Sequence, residues 1–238
     1  MPRASQSQSL FAESSDSLES PVETHLIVNM VKTILNLSIN KAVIKRTDII
    51  NIALKGDIRL YNRIIPEVID ILREIYGYEL IEIESKSQKT MILCSTLEPG
   101  SLLELNESNQ RKFTFLFLVL GYIYMKNGIV PENLLWEFLH TIGIEEQQEH
   151  SYFGEPKKIF ESFIKQAYVM RFKQSMEGMS DEVVFVSWGV RSKHEVSKKE
   201  MLESICKIMK RKPSDFKTQY IETQGLPNTS VGDLMEIE

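Results

Sequence analysis

At 238 residues the chain has room for one large domain or two small ones, and 42% apolar with 26% charged residues is ordinary for a folded globular protein. A net charge of −5 excludes a chain that coats nucleic acid as a polycation. Two distant cysteines, Cys94 and Cys206, and four scattered histidines offer no disulfide framework and no metal-ligand spacing, which points to a reducing compartment.

Residues 1–21 are rich in Ser and Gln, lack the apolar stretch of a signal peptide, and read as disordered. A helix is predicted over His25–Leu37, where Ile27, Met30, Val31, Ile34 and Leu35 share one apolar face. A second helix is expected after the cap candidate Thr47, ending at Gly56. Pro66 fits the first residue of a third helix, with Val68, Ile69, Leu72 and Ile75 inward and Gly77 as its stop. Glu79–Glu84 alternates with period two, as a half-buried strand does, and Thr90–Cys94 reads as its hairpin partner. Three helices closed by a hairpin is the winged-helix order, here over 22–97. The stretch 98–109 carries the Pro-Gly, Ser and Asn signals of a linker.

The second block, 110–222, repeats that order with additions. Its opening run, Phe113–Met125, is too short to span a bilayer and is expected to be a core helix ended by Asn127-Gly128. Pro131 is expected to open a helix with Leu134, Leu135, Phe138 and Leu139 inward. Pro156 opens another, with Ile159, Phe160, Phe163, Ile164, Ala167 and Tyr168 on its apolar side. Val183–Val186 is a strand candidate ending at Trp188-Gly189. A last helix begins at a Ser197/Glu200 capping box and stops before Pro213. The acidic tail 223–238 reads as disordered. The fold class is therefore mainly α with small β-hairpin wings, a tandem winged helix.

Positive charge is concentrated locally. Residues 156–173 hold five bases against one acid, and 190–212 hold eight against three. The candidates for contact with duplex DNA are Lys157, Lys158, Lys165, Arg191, Lys193, Lys198 and Lys199, reading phosphate rather than base edges. A solvated face paired with Glu161 is the alternative for Lys157, Lys158 and Lys165, and helix-dipole compensation the alternative for Lys210, Arg211 and Lys212. No phosphate loop, nucleophile elbow or paired-His motif is present, so neither catalysis nor a cofactor is expected. Only an acidified thiol at Cys94 or Cys206 would reopen that question. A winged-helix transcription regulator is disfavoured because the helix after Pro66 shows Glu67, Asp70 and Glu74 and one Arg.

Longer motifs carry a resemblance. Leu118–Lys126, Trp136–Leu139, Gly143-Ile144, His150–Lys158, Trp188–Arg191 and Glu195–Lys198 follow one another in the order and spacing of the MAGE homology domain. Ile44–Ile49, Pro66, Tyr76–Tyr78 and Leu80–Glu82 agree in the first block. The chain departs from the family at Val190, which replaces a proline, and at Ile65, which replaces a phenylalanine. With little sequence outside the domain, it is similar to the family's ancestral type, a non-SMC element of the Smc five–six complex. The resemblance implies a nuclear, non-catalytic adaptor in DNA repair and chromosome maintenance. It would bind a RING-type ubiquitin ligase subunit, a kleisin subunit and duplex DNA, with no membrane role. An adaptor of another RING ligase is the rival within the family. The family's paired leucines for the RING partner fall on Ile34 and Leu35 here, positions equally suited to core packing. No kleisin-binding residue can be named from the sequence.

Overall fold

The computed structural model describes residues 21–83, 88–97, 105–175 and 182–224. The first half runs α1 (Pro21–Leu37), β1 (Ile44–Lys45), α2 (Arg46–Leu54), α3 (Ile58–Glu74), β2 (Tyr78–Ile83) and β3 (Thr90–Ser95). The strands form an antiparallel sheet in the order β1-β3-β2, with Leu80 opposite Leu93 and Ile81 opposite Ile92. Its core gathers Ile27, Met30 and Ile34 from α1, Ile49 and Ala53 from α2, Val68 and Leu72 from α3, and Met91 and Leu93 from β3.

Two helix starts differ from the sequence expectation. Thr47 does not cap α2: Lys45 is the extended capping residue, and the Thr47 hydroxyl instead accepts from Gln88. Pro66 does not open α3, which begins eight residues earlier, where the Asp57 carboxylate accepts from the Leu60 amide at 3.0 Å. Asp57 outcompetes because an Asx cap satisfies an amide that proline at the first position merely lacks. Pro66 therefore lies inside the helix, and Ile75, past its end, is exposed rather than inward.

The second half runs α4 (Glu107–Met125), β4 (Ile129–Pro131), α5 (Glu132–Thr141), α6 (Pro156–Lys165), β5 (Val169–Ser175), β6 (Glu182–Trp188), α7 (Val190–Glu195) and α8 (Lys198–Met209). A 3-10 turn at Pro213–Asp215 and α9 (Lys217–Thr223) follow. Its sheet repeats the first as β4-β6-β5. β5 escapes the sequence reading because the apolar period of α6 runs on through Ala167 and Tyr168. In the structure Ala167 turns to a left-handed φ of 60°, ends the helix and turns the chain into the strand. Pro131 caps α5 from the end of β4 instead of beginning the helix, and Leu134 points to solvent. Ser197 does cap α8, accepting from the Glu200 amide. Around Phe115, Val119, Leu135, Phe160, Val186 and Trp188 lies a second, separate core.

The expected disordered segments, the wing turn at 84–87 and most of the linker lie outside the described residues. No described helix is long and apolar enough to cross a membrane.

Candidate functional site

Arg191 was expected to face phosphate. It does not: its side chain is 0% exposed, at the seam between the two halves. Gly189 sets this up. A Cβ there would lie 2.1 Å from the Ala167 carbonyl oxygen, so only glycine lets the chain pass beneath that turn into α7. The guanidinium then donates to Leu93 O at 2.7 Å, Lys41 O at 2.9 Å, Gln166 O at 2.7 Å and the Glu195 carboxylate at 2.9 Å. Two acceptors belong to the first half and two to the second. A planar group with fixed donors suits four such acceptors as a lysine would not.

Glu195 completes the node. Its other oxygen accepts from Lys41 Nζ at 2.9 Å and from the Tyr168 hydroxyl at 2.6 Å. Burial alone would raise the Glu195 carboxyl, but Lys41, Tyr168 and Arg191 together hold it below the ordinary value. Burial, with the Glu195 charge, pushes the Tyr168 phenol up. Nothing here is set up for chemistry, since every polar group is spent on another.

The thiols give the same answer. Burial pushes Cys94 up to about 11 and also raises Cys206, the reverse of an activated nucleophile. Among the described residues no cluster of His, Cys, Asp or Glu could hold a metal ion.

The remaining basic candidates separate into two places. Lys157 pairs with Glu146 at 2.8 Å and Lys158 with Glu155 at 2.7 Å. The hollow they share with Lys165 also holds Glu149 and Glu161, four carboxylates against three ammonium groups. With carboxylates in excess, the hollow lacks the positive field a phosphate backbone needs, which disfavours Lys157, Lys158 and Lys165 as DNA contacts. Lys193, Lys198 and Lys199 are exposed on α7 and the first turn of α8. Lys198 pairs with Glu222, whereas Lys193 and Lys199 have no ion pair among the described residues.

Ile34 and Leu35 also separate. Ile34 is 0% exposed and belongs to the first core; Leu35 is half-buried and keeps an outer edge on α1.

One surface had no sequence signal. α4, α5 and α8 enclose a groove of about 390 Å³ floored by Phe117, Gly121 and Tyr122 and edged by Phe138, Ile208 and Met209. A Cβ on Gly121 would touch Ile205 at 3.4 Å, an ordinary contact. Ile208 is 71% exposed. The sequence shows an apolar excess in this block, but only the packing reveals which residues remain uncovered.

Comparison with known proteins agrees with this architecture. Residues 30–199 match the MAGE homology domain. The chain is 32% identical to the non-structural maintenance of chromosomes element 3 homolog of Mus musculus, over 82% of this chain and 70% of that protein. It is 33% identical to the Homo sapiens homolog over 82% and 64%, and 33% identical to human melanoma-associated antigen D2 over 82% and 32%. It thus spans less than two thirds of the two human relatives. Among solved structures, a chain of an Nse1-Nse3-Nse4 complex superposes with a TM-score of 0.73 at 31% identity, covering 85% of this chain and 98% of that one. With the motifs, the twin sheets and these matches in agreement, the chain belongs to the MAGE homology domain family.

Proposed function

We propose that the chain is the MAGE-type adaptor subunit of a Smc five–six complex, non-catalytic and nuclear, with winged-helix modules at 22–97 and 110–222 joined by the linker 98–109. The observation that carries this is the likeness to a chain of the Nse1-Nse3-Nse4 complex, which spans nearly all of that chain. A protein that works inside a three-part assembly needs separate surfaces, and three are available. Leu35 on α1 offers an apolar edge to a RING-type subunit. The groove edged by Ile208 and Met209 suits an amphipathic helix of the kleisin, since its lining is almost wholly apolar. Lys193, Lys198 and Lys199 serve duplex DNA through phosphate contacts.

The first module's α3 is less acidic than its sequence after Pro66 suggests. Because α3 starts at Ile58, it carries Arg59, Arg63 and Arg73 against Glu67, Asp70 and Glu74, and is balanced rather than acidic. Arg63 and Arg73 are engaged with Glu23 and Glu79, which keeps the adaptor reading ahead. The 33% identity to melanoma-associated antigen D2 favours a second reading, an adaptor of a different RING ligase. Co-purification from nuclear extract distinguishes them. A RING subunit together with a kleisin supports the first reading, a RING protein without a kleisin supports the second, and recovery of neither sinks both.

A further inference from the structure

A cavity of about 770 Å³ opens on the second module between the outer face of its sheet, the α7–α8 junction and α9. Its floor is the row Ile129, Ser187 and Met170, which stand side by side on β4, β6 and β5. Three features give it a ligand chemistry. Ser187 is 7% exposed, and its buried hydroxyl has no hydrogen-bond partner among the described residues. Buried polar atoms in folded proteins are nearly always satisfied, so an unsatisfied one lining a cavity marks a missing acceptor or donor.

The cavity's charge is the second feature. Lys193 and Lys198 reach it from α7 and α8. Lys198 occupies the first turn of α8, where the helix end adds to its positive potential. The Glu222 carboxylate already sits on Lys198 inside this cavity, which shows that a carboxylate fits. Lys193 has no ion pair among the described residues. Third, the rim is apolar, with Ile129 and Met170 both about half exposed.

Duplex DNA matches only the charge. It brings no apolar group to the rim. A peptide with carboxylates between apolar side chains satisfies all three features. The chain contains one: Asp233-Leu234-Met235-Glu236-Ile237-Glu238, within a stretch free of basic residues. This stretch continues directly from α9, whose Thr218, Gln219 and Glu222 line the cavity. Nine residues from Gln224 to Asp233 span up to about 30 Å, ample for a return, and short tethers give effective concentrations on the order of millimolar. We infer that this cavity is a binding site for an acidic, apolar-flanked peptide, and that its occupant is the chain's own segment 225–238, which duplex DNA must displace to reach Lys193 and Lys198.

Carbodiimide coupling of the full chain tests this, using equal parts unlabelled and 15N-labelled protein and mapping the linked peptides by mass spectrometry. The expected result is a link from Lys193 or Lys198 to Asp233, Glu236 or Glu238 within one chain, with none to Lys32 or Lys55 on the first module. Ser187→Leu fills the floor while keeping every coupling group, and loses the link; Met170→Glu at the rim does the same where Ser187→Leu fails to fold. Mixed-label links making up about half of the tail links, as random pairing between chains gives, would assign the site to a second copy and overturn the inference. So would coupling spread evenly over all lysines, the absence of any tail link, or Lys193 and Lys198 shielded from amine labelling only when duplex DNA is added.

Discussion

The Arg191 guanidinium donates to the Leu93 carbonyl oxygen at 2.7 Å, so a side chain rooted after the second wing closes on the backbone of the first wing. The same group holds Lys41 O, and thus joins α7 to both the loop before β1 and to β3. Arg191→Met keeps the volume and removes the donors. It leaves Glu195 short of a partner and takes a donor from three carbonyls. Loss of one partner from a buried charged network costs about 3–5 kcal/mol. Arg191→Lys should recover little, because one ammonium cannot reach both halves. Chemical denaturation of the two variants checks this, and near-wild-type stability of Arg191→Lys would refute the fork geometry.

Glu195 makes that network pH-dependent, with a definite sign. Its folded value lies below its ordinary 4.5, so the unfolded chain binds the proton more readily. The contribution is complete above the unfolded value and disappears as pH falls through the folded one. Glu195→Gln should therefore lower the melting temperature at pH 7 and flatten its decline as pH falls below 4.5. An unchanged acid limb would mean that other carboxylates govern acid unfolding.

Much of the fold is legible in the sequence, and the exceptions have physical causes. Periodicity locates α1 and α6, the Ser197/Glu200 box locates α8, and alternation locates β2, because stripes, caps and strand repeats are local patterns. β5 was hidden by an apolar run that crosses the Ala167 turn, and α3 was misplaced because Pro66 is a permitted start as well as a tolerated interior residue. The site was less legible. An arginine in a basic stretch looks alike whether buried or exposed, and Arg191 is recognised only once Gly189 is seen against the Ala167 carbonyl. Lys157 and Lys158 mislead for a similar reason, since Glu146 reaches Lys157 from a loop eleven residues away.

Ile34 and Leu35 should respond differently to the same substitution. Ile34→Ala removes fully buried carbons from the first core and should cost about 2–5 kcal/mol of stability. Leu35→Ala should cost less in the fold and more in the complex, about 2 kcal/mol of RING-partner binding if it is an anchor. Thermal melts alongside calorimetry with the captured RING subunit separate the two effects. Equal affinity loss without destabilisation at Ile34 would contradict the burial.

The apolar groove makes a prediction that stability cannot mimic. Ile208 is already mostly in water, so Ile208→Glu should change the melting temperature little. Facing Phe117, Tyr122 and Phe138, the new carboxylate would be desolvated by any helix laid in the groove, and a kleisin peptide should lose at least about 2 kcal/mol of affinity. Undiminished binding by a folded variant would place the kleisin elsewhere.

DNA binding, if it resides on Lys193 and Lys199, should announce itself through salt. Removing a single lysine–phosphate pairing reduces the slope of log affinity against log salt by about 0.9. Lys193→Gln with Lys199→Gln should then flatten the slope by roughly 2 and weaken all duplex sequences alike, as backbone recognition does. Lys157→Gln with Lys158→Gln removes as much formal charge, but from a hollow where four carboxylates outnumber three lysines. Its effect should be small, because those charges are already compensated at close range and screened beyond about 8–10 Å. Fluorescence anisotropy across a salt series compares the pairs directly. Equal flattening by both would show that net charge alone governs binding; flattening only by the second would move the surface back to α6.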